Sequence, residues 1–181
     1  MKSKTRKEFP ILKTKRLTLD RLKKSDYLEV FSYLSNAANF PYVDMPQYKT
    51  HEEVYEYINK MDKGINEGLW ILWAIRLDGV AIGSISLWNF NHKKNIAETG
   101  YGLFSHRGNG YMQEALKAVL EYGFDTIKLA RIEAFTNKVN IPSRNLLSKC
   151  GFTYDSEITE KTSLGNEMEL IIYKNEGNYG K

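Results

Sequence analysis

Three strand-like runs followed by the clearest helical run constrain this chain more than any other feature. Residues 69–77 and 80–90 have strand character and are joined by Asp78-Gly79, a dipeptide suited to a tight hairpin. Residues 96–104 add a third strand to the same meander. Residues 111–127 then switch to helical spacing, with Met112, Ala115, Leu116, Val119, Leu120, Phe124 and Ile127 on one face. A strand meander feeding a long amphipathic helix calls for a sheet with a helical layer upon it. The flanks extend the pattern. Leu17-Thr18-Leu19 alternates as an opening strand, and Ser25 reads as the N-cap of a helix faced by Tyr27, Leu28, Val30, Phe31 and Leu34. Pro41 and Pro46 mark a loop over 36–49. Thr50 and Glu53 form a capping box for a second helix faced by Val54, Tyr57, Ile58 and Met61. Beyond 127 come a strand over 131–136, a short helix over 141–149, and strands over 152–158 and 167–173 with a turn near Gly165-Asn166. The succession predicts a mixed α/β domain with a mostly antiparallel sheet covered by helices.

The length of 181 residues suits one domain, taken as 14–175, with a loosely held basic arm over 1–13 and a tail over 176–181. With 42% apolar and 27% charged residues, disordered and fibrous classes are excluded. A run of about 18 apolar residues is absent, so no membrane span is expected. The start MKSKTRKEF is basic but leads into no apolar stretch, which argues against a secretory signal. The single Cys150 cannot form an internal disulfide, and a cytoplasmic setting is expected. The net charge of +4 is uneven: residues 1–24 hold ten Lys/Arg against two acids, a net +8, and the rest carries −4. This is no basic stripe for direct DNA binding. A solvated tail accounts for it, as does contact with an anionic partner such as ribosomal RNA.

The segment with most chemical content is Arg107-Gly108-Asn109-Gly110-Tyr111, between the third meander strand and the long helix. Two glycines leave the backbone uncrowded, so N–H groups at a helix start can face a phosphate. A phosphate-binding loop ending in Gly-Lys-Ser/Thr is excluded, because Tyr111 and Met112 follow Gly110. A dinucleotide fingerprint is excluded as well, because Gln113 stands where its third small residue belongs. His51, His92 and His106 lack metal-ligand spacing, so no metal is expected.

Three blocks in order resemble the GNAT N-acetyltransferase superfamily, and within it the RimJ/RimL-like group acting on protein N-termini. They are Ala97-Glu98-Thr99-Gly100-Tyr101-Gly102-Leu103, then Arg107-Gly108-Asn109-Gly110-Tyr111-Met112-Gln113-Glu114-Ala115, then Asn140-Ile141-Pro142-Ser143 with Lys149-Cys150-Gly151-Phe152. With Thr14-Lys15-Arg16-Leu17-Thr18-Leu19, the likeness covers roughly 12–175. It implies a twisted, mostly antiparallel sheet of about seven strands and about four flanking helices. It also implies that the strands over 96–104 and 131–136, fourth and fifth in order, splay apart around the pantetheine arm of acetyl-CoA. Leu103, Phe104, Ser105, Arg107, Gly108, Asn109, Gly110, Tyr111, Met112, Asn140 and Ser143 would then bind the coenzyme. Gly100 and Gly102 suit a bulge or close backbone approach there, or packing room for Trp88 or Tyr101. The superfamily's frequent Gln or Arg is replaced by Ser105.

Acetyl transfer needs a neutral amine, a stabilised tetrahedral intermediate and a proton for the departing thiolate. The resemblance makes Glu98 the candidate base, against a structural carboxylate at the splay. The tyrosine many relatives place seven residues after Asn140 is Leu147 here, so the acid role passes to Ser143 at the coenzyme sulfur, against a plain helix-start serine. Cys150 reads as a small core side chain. Tyr42, Tyr48, Tyr55, Tyr57 and Trp88 read as packing near the acceptor groove. The expected reaction is acetylation of a primary amine, foremost the N-terminal α-amine of a ribosomal or other protein. A small amine such as a polyamine or aminoglycoside, and a non-catalytic acyl-CoA-binding module, remain alternatives. Exposed edge strands allow a homodimer or higher homo-oligomer.

Overall fold

A computed structural model describes residues 8–43, 47–162 and 164–177. In chain order the elements are β1 (Leu12–Lys13), β2 (Thr18–Arg21), α1 (Tyr27–Leu34), α2 (His51–Glu67), β3 (Trp70–Leu77), β4 (Val80–Asn91), β5 (Ile96–Leu103), α3 (Tyr111–Glu121), β6 (Arg131–Asn137), α4 (Ile141–Lys149), β7 (Thr153–Lys161) and β8 (Glu167–Asn175). The strands form one sheet in the order β1-β2-β3-β4-β5-β6-β8-β7. Every pairing is antiparallel except that of β5 with β6.

Eight strands appear among the described residues, not seven. The extra one, β1, falls inside the stretch read as a loose arm, pairing Leu12 with Leu19. Phe9 packs edge-on against Trp73, and the Trp73 indole N–H donates to the Pro10 carbonyl at 2.8 Å. Residues 8–13 are therefore held to the sheet. Residues 1–7 of the arm, Pro46 and residues 178–181 of the tail lie outside the described residues.

Helices cover the sheet on both faces. Leu72 and Ala74 of β3 meet Val30, Leu34, Val54 and Ile58 of α1 and α2. Trp73 and Ile75, their alternates, point to the other face, against Ala115, Leu116, Val119 and Leu120 of α3 and Leu147 of α4. This two-sided burial explains why β3 reads as an almost unbroken apolar run.

The α1 start differs from expectation. A 3-10 turn over Lys24–Asp26 precedes the helix, and the Asp26 carboxylate accepts from the Lys23 N–H, so Ser25 is not the cap. Asp26 is drawn there because Arg76 of β3 grips it through both terminal nitrogens at 2.8 Å. The Thr50–Glu53 capping box at α2 is present. The long helical run ends in a π turn over Tyr122–Ile127. Gly123 in that turn lies where a Cβ would come within 2.7 Å of Ile132.

Candidate active site

The functional feature of the sheet is an incomplete seam. β5 and β6 pair only at Ile96↔Arg131, Ala97↔Ile132 and Glu98↔Glu133. β5 continues to Leu103 along β4, and β6 continues to Asn137 along β8. Beyond Glu98 the two strands therefore border an open wedge. The phase of the ladder tells which backbone groups face it. The Phe104 N–H donates to the Ile82 carbonyl at 2.8 Å, so Gly83 and Leu103 form a pair without mutual bonds. In that phase the peptide groups of Leu103 and Tyr101 turn away from β4 into the wedge, while those of Thr99 face β6 at the end of its pairing.

This corrects one expectation. The N–H groups of Phe104 and Ser105 are not open to a pantetheine arm, because both are directed at the Ile82 carbonyl. The outward groups belong to Tyr101 and Leu103, although the Leu103 carbonyl also accepts from Arg107 at 3.3 Å. The glycines act differently too. The β4–β5 ladder runs evenly through Gly100 and Gly102, and its irregularity falls between Trp88 and Asn91, where Asn89 has φ 49°. Gly102 makes room for Tyr33 of α1, whose hydroxyl would collide with any Cβ there, and not for Trp88 or Tyr101.

Side chains alternate about the wedge. Glu98 shares a face with Trp88, its cross-strand partner, and with Glu133. That is the face of α1 and α2. Burial raises the pKa of Glu98 and the fields of Glu133 and Glu160 add to the rise, opposed by a hydrogen bond from the Asn89 amide. Tyr101 points to the opposite face, where its hydroxyl lies 2.9 Å from Ser143 Oγ in the first turn of α4. Burial pushes the Tyr101 phenol up to about 12. Thr99, on the same side, has a buried hydroxyl without a hydrogen-bond partner. Asn140 caps α4 by accepting from the Ser143 N–H at 3.1 Å, which fixes Ser143 at the helix start.

The glycine loop lies past the open end of β5. His106, Gly108 and Gly110 have φ of 58°, 86° and 76°. Alternating left-handed residues turn successive N–H groups toward one concave side. The bonds that hold the loop are made at its carbonyls. Asn109 Nδ2 donates to those of His106 and Arg107, Arg16 Nη1 to that of Asn109, and the Glu114 N–H to that of Gly110. The N–H groups of the first turn of α3, which no helix bond can use, are the donors left at that end. Met112 is buried in the core and offers only its backbone. Arg107 donates to Asn39 Oδ1 at 3.1 Å, tying the loop to the segment after α1. Ser105 and His106 share a 2.7 Å hydrogen bond.

Several members of the site escaped the sequence reading. Thr14, the Arg16 N–H and the Arg16 guanidinium all donate to Glu114. They hold its carboxyl below its usual pKa even though burial alone would raise it. The Arg16 guanidinium also lies 4.4 Å from the Tyr111 ring centre. This clamp fixes the loop against β2. Both of its ends sit in segments singled out by resemblance, but nothing in the spacing signals that they meet. The Tyr101–Ser143 contact was equally hidden, joining residues 42 apart in the chain.

A wedge with outward peptide groups, an orphaned hydroxyl and a loop of N–H donors suits an extended ligand ending in phosphates. The chain belongs to the GNAT acetyltransferases: the family model described as "Acetyltransferase (GNAT) domain" matches residues 16–153. GNAT acetyltransferases use acetyl-CoA, and this chain is an acyltransferase of that family. It is 32% identical over 147 residues to the uncharacterized N-acetyltransferase YoaA of Bacillus subtilis, covering 80% of this chain and 83% of YoaA. Its fold matches that of RimL, a ribosomal-protein alpha-N acetyltransferase, with TM-score 0.81 at 19% identity, over 92% of this chain and 93% of that one. It also matches the microcin C7 self-immunity acetyltransferase MccE, solved with acetyl-CoA and AMP, with TM-score 0.81 at 19% identity, over 90% and 93% of the chains. Among the described residues, no helix is long and apolar enough to cross a membrane.

Proposed function

We propose that this protein transfers the acetyl group of acetyl-CoA to the N-terminal α-amine of a ribosomal or other protein, in the RimJ/RimL-like manner and in the cytoplasm. The observation that carries the reading is the placement of Glu98 and Ser143 on opposite faces of one wedge. Only a group lodged between β5 and β6 can be reached by both.

The diphosphate rests on the N–H groups of 107–111, with Asn109 shaping the loop from its carbonyl side. The pantetheine arm runs in the wedge beside Tyr101 and Leu103, and Thr99 gains a partner there. The amine enters from the α1 and α2 face. Glu98 takes its proton; the raised pKa brings this base closer to working pH. The amine nitrogen bonds to the thioester carbon, and an N–H of β5 polarises the carbonyl oxygen. The carbon–sulfur bond breaks and the sulfur takes the hydroxyl proton of Ser143, which is reprotonated from solvent while Glu98 releases the amine's proton to solvent, so no net proton is left on the enzyme.

Energetics favour the α-amine. With a pKa of about 7.7–8 it costs about 1 kcal/mol to deprotonate at pH 7, against about 4–5 kcal/mol for a lysine-like amine near 10.4. Burial pushes Cys150 up to about 11, which makes it a poor nucleophile and disfavours a covalent acetyl-cysteine route.

The test is thiol release from acetyl-CoA, followed with DTNB, against a panel of N-terminal peptides and a panel of small amines. Turnover of Ala- or Ser-starting peptides is expected. Turnover of polyamines without any such peptide would reassign the acceptor. Tight CoA binding without turnover on either panel would leave a binding module.

A further inference from the structure

The pair Tyr101 and Ser143 carries an inference that deepens the proposed chemistry and rests on Ser143 being the proton source for the sulfur. A serine hydroxyl has one proton and two lone pairs. If Ser143 spent its proton on Tyr101, none would be left for the thiolate. We infer that Tyr101 is a positioning residue whose phenol donates to Ser143 Oγ and thereby leaves the Ser143 proton aimed into the wedge.

Three observations support that direction. The 2.9 Å contact can run either way, but a phenol is a stronger acid than an aliphatic alcohol and hence the stronger donor. Burial holds the Tyr101 proton in place up to about pH 12, so the donor persists at any working pH. The Ser143 N–H is already bound to Asn140, which fixes the backbone from which Oγ projects. Cys150, whose field acts on the Tyr101 phenol, stays a neutral thiol, and Glu98 lies on the other face. Tyr101 thus acts through Ser143 and keeps its own proton throughout, while Ser143 regains from solvent the proton it gives to the sulfur.

The test is a double-mutant cycle of Tyr101→Phe, Ser143→Ala and both together, with kcat, the KM for acetyl-CoA, and the pH at which enzyme-bound CoA thiol ionises, read at 232 nm. Each single variant is expected to lose about tenfold in kcat with KM within about twofold. Each should also raise the bound thiol pKa, because the thiolate loses its donor. The double variant should be no slower than Ser143→Ala alone. Binding of desulfo-CoA, which lacks the sulfur, should not change.

If Ser143→Ala keeps full kcat, the proton-source reading fails and the inference with it. If Ser143→Ala is slow but Tyr101→Phe is not, or if the two losses multiply, only the inference fails. A 3-fluorotyrosine at position 101 keeps the shape with a more acidic phenol, so folding is spared. It should move the alkaline loss of activity to lower pH, and an unmoved limb would overturn the assignment.

Discussion

Replacing Gly108 by alanine separates the phosphate cradle from an ordinary turn. The backbone there has φ 86°, a region that costs an L side chain about 1–2 kcal/mol. A Cβ would meet nothing within 4 Å, so no packing penalty adds to that strain. For a domain of this size about 2–4 °C is lost per kcal/mol, and Gly108→Ala should melt about 2–8 °C lower. The effect on CoA should be larger. The added methyl projects from the open side of the loop, and losing one backbone bond to a charged diphosphate costs about 1.5–3 kcal/mol. That weakens binding by about tenfold to a hundredfold. Gly110→Ala is the control. Its φ of 76° carries the same strain, but its Cβ would lie 3.6 Å from Arg16 Nη2, an ordinary contact on the protein side. Isothermal titration with CoA, alongside thermal melts, should show similar melting losses and a selective affinity loss in Gly108→Ala. Wild-type CoA affinity in Gly108→Ala would refute the cradle.

Glu98→Gln should lower kcat about a hundredfold or more and remove the acid limb of kcat/KM. In the wild type that limb should lie above the usual carboxylate range, since burial raises Glu98 and the base must be ionised. An unchanged kcat would return Glu98 to a structural role. Arg76→Ala breaks a buried pair with Asp26 and should cost about 3–5 kcal/mol in urea melts; a loss under about 1 kcal/mol would contradict that reading. Burial alone would raise Asp26, but bonds from Arg76 and the Lys23 N–H hold it below the usual range. Its contribution is therefore complete above the unfolded value of about 3.9 and lost as pH falls through the lower folded value. Asp26→Asn should flatten that acid loss, and an identical slope would exclude the pair as its source. Gly102→Ala drives a methyl into the Tyr33 hydroxyl and should cost about 1–3 kcal/mol. Tyr33→Phe in the same chain should recover part of this, and no recovery would mean the strain lies elsewhere.

What could be read in advance was local. The capping box of Thr50 and Glu53, the Asp78-Gly79 hairpin and the helical face from Met112 onward depend on neighbours a few residues away. Ser25 misled because the true cap is set from afar: Arg76 draws Asp26 inward, and the helix start follows the carboxylate. β1 was missed because Leu12–Lys13 is too short for periodicity to register, and its strand character comes from the edge of β2. The site divides along the same line. The glycine loop announced itself because positive-φ turns select residue types. The hydroxyl pair could not, since Tyr101 and Ser143 each have a sufficient local reason to exist, one in a strand and one at a helix start. Their meeting is a property of the splay, which appears only when pairing halts at Glu98. The same halt puts Glu98 and Ser143 on opposite sides of one opening. The proposed chemistry therefore depends less on any single side chain than on where β6 leaves β5, and a variant that extended that pairing by two residues should abolish acetyl transfer in the DTNB assay with Glu98 and Ser143 both retained.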